Sequence, residues 1–168
     1  MTSSRAVSTL YLIRHADAGS RSAWKNDDRL RPLSKKGRRQ SAHLARTLGG
    51  VGLTRLVSSG SARCIETLEP LAAATGLPVE TDARLYEGSD GPAALAVADE
   101  MRALGDVAAL CSHGDVIPDL LSELRVDGTA FHHKLTWPKG SVWVLSGNDG
   151  RWSDAHHIPT PSTATTSK

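Results

Sequence analysis

A chain of 168 residues fits a single domain and is long enough to bury a sound core. With 39% hydrophobic and 23% charged residues it reads as soluble and globular, and no apolar run approaches the length that spans a bilayer. A net charge of +2 is too small to imply a nucleic-acid polymer as partner, and the N-terminal residues lack the basic-then-apolar order of a signal peptide, which makes the cytoplasm the expected location.

The elements alternate between strand and helix. Ser8 to Arg14 is a short apolar run rich in β-formers and reads as a buried strand. A polar loop follows, through Trp24 and Asp27 to Pro32. Ser34 is placed to cap a helix running to about Leu48, with Gly49-Gly50 as its stop and Leu44 and Leu48 on one face. Arg55 to Ser58 is a second strand. Ser61 to about Thr75 is a second helix with Ile65, Leu68 and Leu71 at helical spacing, kinked at Pro70 and ended by Gly76 and Pro78.

Asp90 caps a third helix, from Pro92 to about Leu104. Val107 to Cys111 is a central strand, and Gly114 to Leu124 a fourth helix that carries Pro118 in its tolerant first turn. Ser141 to Leu145 is another strand. Gly147 to Gly150 makes a turn, and Arg151 to Ile158 returns as an edge strand. This order implies an α/β, three-layer domain over residues 8–158 with a largely parallel sheet. Residues 1–7 and the Thr/Ser/Pro-rich stretch 159–168 read as flexible tails. Cys64 and Cys111 sit in apolar segments and read as reduced, buried small hydrophobes.

In a parallel α/β sheet, ligands bind outside the carboxyl ends of the strands. Arg14-His15 ends the first strand, Ser58, Ser59 and Arg63 follow the second, and Ser112-His113-Gly114 ends the strand at Val107 to Cys111. Two arginines and two histidines at strand ends make a poor core and a good oxyanion pocket, since guanidinium forks match phosphate oxygens. The basic stretch from Arg21 to Arg46 is a solvated face or a cationic rim drawing in an anionic substrate. Arg21, Trp24, Lys25 and Arg29 are its candidate substrate contacts.

These motifs resemble those of the histidine phosphatase superfamily. Leu12-Ile13-Arg14-His15 resembles its Arg-His signature, and Arg31 to Gly37 (RPLSKKG) its Pro-Leu-Ser/Thr-x-x-Gly helix start. Ser58 to Arg63, with Glu66-Thr67 one turn on, resembles the segment that brings a second arginine. Leu85-Tyr86-Glu87 resembles the segment that brings an acid, and Cys111 to Gly114 the Ser-His-Gly segment. The size and the opening Arg-His-Ala-Asp-Ala are most similar to the short branch of SixA phosphohistidine phosphatases, and to the phosphatase-like domain that follows a Nudix domain in some mycobacterial enzymes. Ala16 stands where many relatives have Gly, a departure that narrows the loop and removes no catalytic group.

The resemblance implies the phosphoglycerate mutase-like fold and a metal-independent, cofactor-free phosphatase. It implies His15 as a nucleophile that becomes phosphohistidine, with Arg14, Arg63 and His113 on the phosphoryl oxygens and Glu87 as general acid. The partner is a phosphorylated substrate, either a phosphohistidine protein or other phosphomonoester, or a nucleoside diphosphate or related nucleotide. The chain is short for the insertions of a mutase. A phosphate-binding module without catalysis would be signalled by a missing His15, Arg63 or His113, and all three are present. The pairs His132-His133 and His156-His157 lack carboxylate or Cys neighbours at ligand spacing, so no metal is expected. Oligomeric state is left open.

Overall fold

The computed structural model describes residues 7–148 and 150–161. Of the expected tails 1–7 and 159–168, residues 1–6 and 162–168 lie outside the described residues, while Thr160 Oγ1 donates to Lys139 O at 2.7 Å. Strands β1 (Ser8–Arg14), β2 (Arg55–Ser58), β3 (Val79–Thr81), β4 (Ala108–Ser112), β5 (Ala130–Phe131), β6 (Val142–Asn148) and β7 (Arg151–Ile158) form one sheet of order β3-β2-β4-β1-β6-β7-β5. The pairs β1/β4, β2/β4, β2/β3 and β5/β7 are parallel; β1/β6 and β6/β7 are antiparallel. The sheet is therefore mixed and mostly parallel.

Helices α1 (Lys35–Leu48) and α2 (Ala62–Thr75) cover one face, and α3 (Gly91–Ala103) and α4 (Val116–Val126) the other. Strand alternation divides the core accordingly. Leu10, Leu12, Ala108 and Leu110 meet Val97, Met101, Ile117 and Leu120 on the α3/α4 side. Ile13, Leu56, Ala109 and Cys111 meet Leu44, Leu48, Leu68 and Leu71 on the α1/α2 side. Every residue of β4 is buried, as a central strand covered on both faces requires.

The helix signals act where the sequence places them. Ser34 Oγ accepts from Gly37 N at 3.0 Å, and Asp90 Oδ1 accepts from Ala93 N at 2.8 Å. Gly76 ends α2 in the left-handed conformation. Helix α2 runs on through Pro70 without a break.

Two strands escape the sequence pattern. β3 has three residues and β5 two, too short for alternation to register. Because β5 pairs outside β7, the segment Arg151–Ile158 is not the sheet edge expected of it. β6 also extends to Asn148, which shortens the expected turn.

Candidate active site

β1, β2 and β4 end side by side, so their C-terminal residues converge. His15 N donates to Ser112 O at 3.0 Å and Ser59 N to Cys111 O at 3.0 Å, which locks the three strand ends together. The His15 and His113 rings stand edge to face with centroids 5.4 Å apart. Both are buried, and Arg63 is 1% exposed at the start of α2.

The loop after β1 is held from several sides. Ala16 N donates to Thr67 Oγ1 at 3.0 Å, and Thr67 Oγ1 donates back to Arg63 O at 2.6 Å. The second-arginine motif thus fixes the first. Asp17 N donates to Gln40 Oε1 at 2.8 Å, and Ser34 N to Asp17 O at 3.0 Å. Gly37 is required there, since a Cβ would collide with the Asp17 carbonyl. At Gly114 a Cβ would lie 2.6 Å from Arg14 Nη2, so this glycine makes room for the guanidinium. The acid loop is tied in by Ser112, whose Oγ donates to Leu85 O at 2.7 Å.

His15 Nδ1 lies 2.8 Å from the Ala16 carbonyl. A carbonyl only accepts, so Nδ1 carries the proton and Nε2 the free lone pair. Burial drives the His15 pKa down to about 3 from its ordinary 6.5. The Ala16 hydrogen bond opposes this, while the charges of Arg63 and Arg14 and the neighbouring His113 push the same way. The ring should therefore be neutral at every working pH, and ¹⁵N NMR should find it so at pH 5. The native state declines a proton that the unfolded chain takes up near 6.5, so this group costs stability as pH falls from about 6.5 toward 3. A ring that titrates near 6 would show that burial does not govern it.

Arg63 Nη1 donates to Asp28 O at 2.9 Å, and its Nη2 lies 3.1 Å from Asp28 Oδ2, 3.5 Å from Glu87 Oε2 and 3.4 Å from His113 Nδ1. A guanidinium only donates, so His113 Nδ1 accepts and its Nε2 proton goes to Ser59 Oγ at 2.8 Å. Cys64 Sγ also lies 3.5 Å from His113 Nε2, and both cysteines are free and buried. Arg14 Nη1 donates to Trp137 O at 3.0 Å. Arg14 Nε and Arg63 Nε are buried donors with no protein acceptor among the described residues.

The structure brings Arg14, His15, Arg63, Glu87 and His113 together. The cationic rim is more nearly balanced than the sequence suggests. Arg21 pairs with Glu87 at 2.5 Å and Asp28 at 3.6 Å, and Arg29 pairs with Asp27 at 3.1 Å. Lys25 is exposed. Trp24 donates from Nε1 to Asp27 O at 2.9 Å and lines a hollow with Ala18, Arg31 and Leu33 that contains none of the four strand-end residues.

Asp28 is a residue that sequence reasoning missed. Its burial alone would raise its pKa, but the hydrogen bond from Arg31 and the charges of Arg63, Arg31 and Arg21 hold it below the usual carboxylate value. Its one signal was position, just ahead of the Arg-Pro-Leu-Ser motif. Among the described residues no group of three or more His, Cys, Asp or Glu is arranged to hold a metal ion, and no helix is long and apolar enough to cross a membrane.

The family model that matches, over residues 10–101, is the histidine phosphatase superfamily (branch 1). An 8-oxo-(d)GTP phosphatase of Mycolicibacterium smegmatis is 34% identical over 162 residues, covering 91% of this chain and 48% of that protein. The chain thus spans about half the length of that curated relative. Among solved structures, the protein histidine phosphatase SixA in complex with tungstate superposes with a TM-score of 0.68 at 21% identity, over 84% of this chain and 94% of its own. A mycobacterial glucosyl-3-phosphoglycerate phosphatase bound to VO3 gives 0.68 at 20%, over 86% and 95%. Identities this low show a shared fold.

Proposed function

The chain belongs to the histidine phosphatase superfamily, branch 1, and is a phosphatase by that membership; from this premise we propose that it works without metal or cofactor through a phosphohistidine on His15. The observation that carries the proposal is the state of His15: buried, its Nδ1 committed to the Ala16 carbonyl so that Nε2 keeps the lone pair, with the His113 ring 5.4 Å away and the charges of Arg63 and Arg14 near enough to push its pKa down. The Nε2 lone pair attacks phosphorus as the bond to the leaving oxygen breaks, and Glu87 gives that oxygen its proton. Water then attacks phosphorus, returns a proton to Glu87, and the Nε2–P bond breaks. Arg14, Arg63 and His113 hold the equatorial oxygens, where negative charge spreads in the transition state. The two unpartnered guanidinium nitrogens, Arg14 Nε and Arg63 Nε, suit an oxyanion.

The substrate in this reading presents a protruding phosphoryl group in the cytoplasm, as on a phosphohistidine or another phosphomonoester. A nucleotide is the second reading, favoured by the mycobacterial 8-oxo-(d)GTP phosphatase. The test is a hydrolysis screen over phosphohistidine protein, nucleotides, sugar phosphates and an aryl phosphate, each with and without EDTA. Turnover should be unchanged by the chelator, since guanidinium and imidazole groups already supply the positive charge a metal would bring. Loss in EDTA that a divalent cation restores would sink the metal-independent mechanism.

A further inference from the structure

A cavity of about 360 Å³ opens beside the phosphate-binding residues, lined by Arg14, Leu135, Thr136, Trp137 and Pro138. Its size falls within the range of about 300–1,000 Å³ usual for small-ligand sites. β6 runs antiparallel to β1, with Ile13 opposite Val142, so the segment that enters β6 must pass the C-terminal end of β1. That segment is fastened to the nucleophile's backbone. Gly140 N donates to Arg14 O at 3.1 Å and His15 O at 3.2 Å, and Arg14 N donates to Ser141 O at 3.2 Å. Trp143 Nε1 donates to Thr136 O at 2.8 Å, and Leu135 and Trp137 pack against the core beneath. The cavity wall is therefore rigid.

The lining combines Arg14 with Trp137, Leu135, Pro138 and Thr136 and exposes polar and apolar surface in about equal measure. That composition suits a ligand with an anionic head and a flat aromatic body that carries polar edges. We propose that this cavity is the leaving-group subsite and that it takes the base of a purine nucleotide, stacked on Trp137, while the phosphoryl group lies on Arg14 and His15. The assignment rests on the phosphatase reading above and chooses between its two substrate classes. Trp137 is then a specificity residue, distinct from the Trp24 that the sequence had suggested.

The test exploits the fact that Arg14 uses the carbonyl of Trp137, not its side chain. Trp137→Leu keeps that carbonyl and an apolar group against the core but removes the aromatic face; Trp137→Phe keeps a stacking face. Steady-state kinetics would be measured with GMP, GDP and acetyl phosphate, which has no base. Loss of one base–aromatic stack is expected to raise KM for GMP or GDP about tenfold or more in Trp137→Leu. Trp137→Phe should recover most of it, and kcat/KM for acetyl phosphate should stay within about twofold. Equal loss on nucleotide and acetyl phosphate would mean that Trp137 acts through Arg14, and an unchanged nucleotide KM would place the base elsewhere; either overturns the subsite. A wild-type enzyme that hydrolyses acetyl phosphate but neither nucleotide leaves the phosphatase reading standing and removes this one. Hydrolysis of none of the three would overturn the subsite, and the phosphatase reading would then fall only if phosphohistidine protein, sugar phosphates and the aryl phosphate of the screen above also stayed intact.

Discussion

His15→Ala should abolish turnover while leaving a folded protein. The loss is expected to be on the order of 10⁴-fold or more in kcat, because the substitution deletes the atom that bonds to phosphorus rather than one that stabilises it. No other described group can take over. His113 is the nearest imidazole, but its Nδ1 faces Arg63 and its Nε2 faces Ser59. Cys64 lies below it, fully buried. The fold should survive because the loop after β1 does not hang on the imidazole. Ala16 N on Thr67, Asp17 N on Gln40 and Ser34 N on Asp17 remain in place. Removing His15 also removes a group whose pKa is pushed down to about 3, so the variant should lose less stability than wild type as pH falls below 6.5. Thermal unfolding at two pH values and kcat would be measured together. Acid quenching of the wild-type enzyme should lose the trapped phosphoryl group, and alkaline quenching should retain it on His15. A folded variant with turnover within tenfold of wild type would falsify the assignment.

What the sequence discloses about this site depends on how local each piece is. Arg14 and His15 are adjacent and end an apolar run, so strand and site announce each other. Ser112-His113-Gly114 does the same at β4. Arg63 is readable because it begins a helix just after a short strand, and α/β topology puts such residues at one edge of the sheet. Asp28 is not readable in that way. It sits in a run of charged residues where any one could be solvated, and only the fold carries it across 35 positions to Arg63. Trp137 is a similar case, since its place beside Arg14 follows from the antiparallel return of β6 against β1, a pairing of residues more than a hundred positions apart. Trp24 had the better sequence argument, being in the loop after the nucleophile, yet its indole turns to Asp27 O. The fold itself was legible wherever an element was long enough to show a period, and the two strands that were not foreseen are the two shortest.

Glu87→Gln should separate substrates by leaving group. An alkoxide leaving from phosphorus needs a proton as the bond breaks, and general-acid help is worth ~10²–10⁴-fold, so alkyl phosphates should lose about that much in kcat/KM. A nitrophenolate leaves without such help, and its loss should stay within a few fold. The structure sharpens the comparison. Glu87 Oε1 is 2.5 Å from Arg21 Nη2, and Oε2 is 3.5 Å from Arg63 Nη2, so the side chain has a positioning role open to it as well. Glutamine keeps the shape and an oxygen acceptor for one arginine while losing the acidic proton. A pure positioning role would therefore show as similar, modest losses on alkyl and aryl substrates, carried in KM through a displaced Arg63. A large loss confined to kcat on alkyl esters has no such explanation. If alkyl phosphates were untouched, the acid would have to come from elsewhere at Arg63, where Asp28 is the other carboxylate, its Oδ2 3.1 Å from Nη2, although its lowered pKa disfavours the protonated form an acid needs. Asp28→Asn assayed on the same two substrates decides between them: the acid is the residue whose amide variant discriminates alkyl from aryl.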